Sequence, residues 1–289
     1  KKKRHKRQGR TSPFPYEPLY RTEDVERVLP MMRPVPYGKE QKVGLGVTLK
    51  FYDAGHILGS SSVLFEITKH GSTRRVLFSG DIGRWDTPIL RDPELVDQAD
   101  YVCIESTYGN RDHKDNSSIP GTLARVIKAA HKAGGNVVIP SFAIERTQEL
   151  LYRLGELRAE GRIPHVPVFV DSPMAIRVTE VFRRHRELFD EETMERISKG
   201  QHPCDFKDLT LTRTAAESKA INHRSGTSII IAGSGMCTGG RIKHHIANNI
   251  GRPESTILFV GYQANGTLGR HILQGAEHVR LYGEQHDVI

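Results

Sequence analysis

The sequence is short of the residues that staple chains together or anchor them in membranes. Its 289 residues include three cysteines, Cys103, Cys204 and Cys237, and a single tryptophan. An odd cysteine count without CxxC spacing argues against a disulfide framework or a thiolate zinc site and predicts reduced, buried thiols. Met174 and Met236 read as core or loop filling. No stretch approaches the roughly 18 consecutive apolar residues of a membrane span, and the start lacks the charged, apolar, small-residue order of a signal peptide. A cytoplasmic address with no membrane partner is the default expectation. A dinucleotide fingerprint is missing as well: Gly233-Ser234-Gly235 needs glycine at position 238 to complete GxGxxG, and Thr238 stands there. Adjacent His244 and His245 diverge on a helix, which argues against a paired metal site. Any metal must be held by other histidines and carboxylates.

A charge excess is also missing once the charges are located. The formal net charge is +8, but seven of the first ten residues are Lys or Arg, and without them 35 basic side chains face 34 acidic ones. The body is nearly neutral. The run from Lys1 to Arg10 is expected to be a solvated, mobile segment that adds salt-dependent attraction to a polyanion without reading its sequence.

What is present is an ordinary globular composition, 37% hydrophobic and 26% charged, long enough for two domains. Lys1 to Leu19, with Pro13, Pro15 and Pro18, reads as a surface loop. Thr22 with Glu23 and Asp24 marks a short helix that Pro30 closes. Alternation predicts strands over 47–52, 63–67 and 75–79, with a turn at His70-Gly71-Ser72, and a further apolar strand runs over 100–105. Past Ile119 the pattern becomes strand, small-residue loop and helix, four times over: strands 137–140, 168–170, 228–231 and 257–260. Such repetition indicates parallel βαβ units. Charged helices over 177–199 and a loop over 201–206 separate the middle units.

Three strand ends in the first region carry groups suited to metal or acid-base chemistry. His56 sits in Asp53-Ala54-Gly55-His56-Ile57-Leu58-Gly59-Ser60, Asp81 follows Phe78-Ser79-Gly80, and Glu105 opens Glu105-Ser106-Thr107-Tyr108-Gly109. Strand-end loops place side chains on a rigid rim, so His56, Asp81 and Glu105 converge if the strands share one sheet. A lone histidine is more often structural, and Asp after Gly is a common turn residue. In the second region each strand-to-helix turn is followed by an arginine: Arg146, Arg177, Arg241 and Arg270. Helix starts with nearby guanidinium groups favour phosphate. Ser141, Arg146, Ser172, Ser234, Gly235, Arg241 and Arg270 are therefore candidate phosphate contacts.

AGHILGS around His56, SGDIG around Asp81, ESTYG at Glu105, SFAIERTQ from Ser141, DSPMA from Asp171, GSGMCTGGR from Gly233 and GYQANGTLGR from Gly261 together resemble the RNA-processing β-CASP metallo-β-lactamases, over about Arg21 to Gly283. The resemblance implies an α/β fold: a partial metallo-β-lactamase αββα domain with an inserted β-CASP domain built on a mainly parallel sheet. Its expected parts are residues 1–118, the insertion over 119–274 and a return segment over 275–289.

It also implies a ribonuclease with two Zn²⁺ ions, His56 as ligand of one and Asp81 bridging both, Glu105 as the catalytic acidic group that braces a histidine, the seven candidate phosphate contacts as RNA contacts, and a family habit of homodimers. Two such ions roughly 3.5 to 4 Å apart generate hydroxide and neutralise a phosphodiester. The family's HxHxDH motif and later histidines are not found in this sequence. They are expected before Lys1 and after Ile289, so this stretch alone is expected to hold zinc poorly and to be inactive. A DNA-directed β-CASP nuclease and a catalytically inactive RNA-binding subunit are the rival readings.

Overall fold

A computed structural model describes Gly9, Thr11, residues 16–110, Asp112 and residues 116–289. The basic run over 1–10 lies, apart from Gly9, outside the described residues, and so do residues 12–15, with Pro13 and Pro15, of the proline-bearing segment after it. Among the described residues no helix is long and apolar enough to cross a membrane.

Helix α1 (Thr22–Val28) carries Glu23 and Asp24 in its first turn and passes into a 3-10 turn over Leu29–Met31 that contains Pro30. Five strands then form one mixed sheet: β1 (Glu40–Gly44), β2 (Val47–Asp53), β3 (Ser61–Lys69), β4 (Ser72–Phe78) and β5 (Tyr101–Cys103), in that spatial order. Pairing is antiparallel from β1 to β4 and parallel between β4 and β5. Consequently β2, β4 and β5 all end on the same edge of the sheet. The Glu66 to Arg75 ion pair, 2.8 Å, joins directly opposed residues and helps hold the β3–β4 register. Little of this sheet is buried. Tyr101 and Val102 on β5 and Ile104 beyond it are more than half exposed. Cys103 shares that strand and is exposed, which corrects the expectation of three buried thiols; Cys204 and Cys237 are buried.

The second sheet is wholly parallel, in the order β10-β6-β9-β7-β8. Its strands are β6 (Val137–Pro140), β7 (Val168–Val170), β8 (Leu209–Leu211), β9 (Ile229–Ala232) and β10 (Thr256–Ile257). Burial on both faces makes these strands continuous apolar runs, and the faces alternate residue by residue. Val137, Ile139, Val168, Val170, Ile229 and Ile231 enter one core. Against it pack α2 (Ile119–Ala133), α3 (Arg146–Ala159) and α4 (Pro173–Arg184). Helix α2 shows the spacing that achieves this, burying Leu123, Ala124, Ile127 and Ala130 and ending on Gly134 at φ 78°. Helix α5 (Glu191–Ser198) is capped by Asp190, whose carboxylate accepts from Thr193 N–H.

Val138, Phe169, Ile230 and Ala232 enter the other core, with α6 (Ala215–Ile221), α7 (Ile242–Asn249) and α8 (Leu268–Leu273). The hairpin β11 (His278–Leu281) and β12 (Glu284–Asp287) joins this layer, because Val279 and Leu281 are buried in the same core. That differs from the expected return of 275–289 to the first sheet: alternation in β11 gives the hairpin one apolar face, and α8 packs beside it. Met174, expected as filling, is 65% exposed on α4.

The two lobes meet along one seam. Ile89 and Leu90, from the loop before β5, are buried in the first α/β core beside Phe189. Asp190 N–H donates to Ile89 C=O at 2.9 Å, and the Arg91 guanidinium donates to Glu187 C=O.

Candidate active site and nucleic-acid interface

Because β2, β4 and β5 end together, the loops carrying His56, Asp81 and Glu105 lie on one rim, and hydrogen bonds knit them. Gly83 N–H donates to Ala54 C=O at 2.8 Å, so the Asp81 loop is docked on the His56 loop. The approach is so close that a Cβ at Gly83 would stand 1.8 Å from Gly55 O and 2.6 Å from His56 N. Glycine is required there by contact alone. The Glu105 carboxylate accepts from Ile82 N–H at 2.9 Å, tying the third loop to the second. Ser79 Oγ accepts from Glu105 N–H at 3.0 Å, and Ser62 Oγ donates to Ser79 C=O at 2.8 Å.

His56 and Asp81 are both exposed on this rim. Partial burial alone would raise the Glu105 pKa. Hydrogen bonds from Thr107 and Ile82, with the nearby His56 ring, hold it below the usual carboxylate value instead. His56 and Asp81 are donors of the type a hydrolytic zinc centre uses. Among the described residues, however, no group of three or more His, Cys, Asp or Glu could hold a metal ion. These two donors do not by themselves make a metal site. The buried thiols Cys204 and Cys237, both pushed up to about 12 by burial, offer no thiolate.

The facing rim is the carboxyl edge of the parallel sheet, where the turns after β6, β7, β9 and β10 line up. Here the structure separates residues that look alike in sequence. Arg241 is turned inward: its guanidinium donates to Asp171 at 2.6 Å, to Thr212 C=O at 3.1 Å and to Arg213 C=O at 3.0 Å. It was expected to grip RNA, but most of its hydrogen-bonding capacity is committed within the fold. Asp171, fully buried, also accepts from His245 Nε2 at 2.7 Å and Ser218 Oγ at 2.6 Å. Burial would raise its pKa, and the donors from His245, Ser218 and Arg241 reverse that and hold it low. This network, absent from the sequence reading, pins the Gly233 to Gly240 loop.

Gly235 is buried, and a Cβ there would stand 2.7 Å from the Phe142 ring, so packing on Phe142 accounts for the glycine. Ser141 is buried, with its hydroxyl shared between Phe142 C=O and Thr147. Ser172 caps α4 by accepting from Ala175 N–H. Ser234 Oγ accepts from Thr238 N–H at 3.1 Å and shapes its own loop. Arg146 pairs with Glu149 at 2.5 Å, keeping about a third of its side chain exposed. Arg270 differs from Arg146 and Arg241, because its buried Nε has no hydrogen-bond acceptor among the described residues.

Glu145 was not singled out in the sequence. It stands at φ 63°, ψ −62°, and Arg146 N–H donates to Ile144 C=O at 2.8 Å across it, a γ-turn of the rare, strained kind. The turn sends its carboxylate across the seam toward Leu58 N–H, in the loop that carries His56. Burial and then the Glu149 charge push its pKa up to about 8. Its Oε2 is shut from solvent with no hydrogen-bond partner among the described residues. Nothing in the sequence signals the positive φ.

A mixed sheet bearing His and Asp at its rim, with a helix-flanked parallel sheet closing on that rim, is the architecture of a metallo-β-lactamase-type lobe carrying a β-CASP lobe. The Beta-Casp domain family model matches residues 147–272. A Thermus thermophilus protein named a ribonuclease is 37% identical over 270 residues, 93% of this chain and 61% of its own length. An RNase J-like protein of Methanocaldococcus jannaschii is 30% identical over 266 residues, 91% of this chain and 60% of its own. Transcription termination factor FttA of Methanosarcina mazei is 31% identical over 274 residues, 92% of this chain and 42% of its own. The chain thus spans about three fifths of the ribonuclease-named relatives it matches. Residues 147–272 thus carry the domain of the β-CASP family, and over about nine tenths of its length the chain is similar to proteins named as ribonucleases and a termination factor.

Proposed function

We propose that the full-length protein is a zinc-dependent ribonuclease that hydrolyses RNA phosphodiester bonds. The observation that carries this reading is the docking of the His56 and Asp81 loops on one another, through Gly83 N–H and Ala54 C=O, at the rim facing the α/β lobe. On this reading His56 and Asp81 supply two zinc ligands, and the other ligands come from outside the described residues. Zinc, when bound, would supply a hydroxide nucleophile and offset phosphate charge. The chain's own residues bind and orient. Glu105 steadies the Asp81 loop through Ile82 N–H, and the turns around Phe142, Ser172 and Ser234, with Arg146 and Arg270, offer backbone N–H groups and cations to the RNA backbone.

Names of the relatives support RNA as substrate, and RNA rather than DNA is the preferred polymer; competition between RNA and DNA of one sequence tests that choice. The decisive variant is Asp81→Ala in the full-length protein. RNA cleavage should vanish while RNA binding largely persists, and cleavage at the wild-type rate would remove Asp81 from the centre.

A further inference from the structure

The β11–β12 hairpin turns through Tyr282 and Gly283, at φ 51° and 97°. Two left-handed residues in a two-residue turn favour Asn-Gly or Gly-Gly, because a Cβ is strained at the first position. A tyrosine there is locally unfavourable, and strained side chains of this kind cluster where a protein binds something. The hairpin does not need the ring, because Val279 and Leu281 already anchor it in the core. Tyr282 is 55% exposed. It stacks on His244, ring centroids 4.5 Å apart and planes 20° from parallel, and Lys243 Nζ lies 5.1 Å from the Tyr282 centroid.

Lys243 and His244 belong to the first turn of α7, directly after the Gly233 to Gly240 loop and Arg241. The aromatic pair and its cation therefore stand on the same edge of the parallel sheet as the turns assigned to the RNA backbone. Val279 and Leu281 point into the core, and exposed His278 and Arg280 alternate with them.

We infer that His244 and Tyr282 form a stacking platform for an unpaired base of single-stranded RNA, with Lys243 supplying positive charge beside it. This rests on the RNA reading above and extends the track from backbone to base. Stacking on a π face is sequence-tolerant, since every base presents one, whereas bases within a duplex are already stacked on each other. The platform therefore selects unpaired RNA without selecting a base.

The test uses the full-length protein and a single-stranded RNA oligomer carrying one 2-aminopurine, with binding and fluorescence quenching followed at fixed salt. Tyr282→Asn is the informative variant because asparagine suits the left-handed turn position, so the hairpin should fold at least as well. It should bind the single strand roughly 5-fold to 100-fold more weakly and lose the quenching. Tyr282→Phe should retain both, and duplex RNA should bind Tyr282→Asn and wild type alike. Unchanged binding and quenching in Tyr282→Asn, with wild type binding RNA, would overturn the platform alone. A wild-type protein that binds no RNA would overturn the RNA reading and the platform together.

Discussion

Replacing Glu145 by glutamine tests the electrostatics of the seam between the lobes. The Glu145 carboxylate is held at about 8 in the folded protein against a usual 4.5, first by burial and then by Glu149, with Arg146 and Leu58 N–H opposing. Between those two values the folded protein keeps the proton and the unfolded chain has lost it. The unfolded state then binds fewer protons, so stability is fullest below about 4.5 and falls as pH rises toward 8. Each pH unit in that window costs about 1.4 kcal/mol, which gives ~3 kcal/mol between pH 5 and pH 7. Glutamine keeps an acceptor for Leu58 N–H and cannot ionise. Urea denaturation of wild type and Glu145→Gln at pH 5, 6 and 7 isolates the effect, because every other titrating group cancels in the difference. The variant should gain on wild type by ~3 kcal/mol across that range. Curves that stay parallel would show that Glu145 titrates normally and that its carboxylate is not enclosed at the seam.

Asp171→Ala leaves the Arg241 guanidinium and the buried His245 ring without their shared acceptor. Stability should fall by about 3–5 kcal/mol in urea denaturation, and a loss below ~1 kcal/mol would mean that the network contributes little. Gly83→Ala drives a methyl into Gly55 C=O and should destabilise by about 1–3 kcal/mol while loosening the His56 loop; an unchanged melting temperature would show that the two loops do not touch.

Much of the α/β lobe was legible because of how its strands are buried. Strands 137–140 and 168–170 stand where the sequence places them, since a strand covered on both faces must be a continuous apolar run. Strand β1 escaped notice because Glu40, Gln41 and Lys42 form an exposed edge with no apolar alternation. Strand β8 is three residues long, too short for a period. The hairpin was hidden by its turn, which has tyrosine where asparagine would have announced it.

The same contrast holds at the site. His56, Asp81 and Glu105 could be grouped from sequence because each follows a strand, and strands of one sheet end together. The roles of the arginines could not, because the partner that withdraws Arg241 from the rim is Asp171, 70 residues away in the chain. Gly235 was a candidate contact in the sequence, and in the structure it makes room for Phe142. Long-range contacts of this kind leave no periodic trace.

The central claim is that His56 and Asp81 converge on one hydrolytic centre. Its most direct measurement is a crystal structure of the full-length protein with zinc, phased on the metal's anomalous signal. A His56 ring nitrogen and an Asp81 carboxylate oxygen should each lie about 2.0–2.2 Å from a zinc ion. Zinc bound elsewhere, with both side chains free of it, would contradict the account.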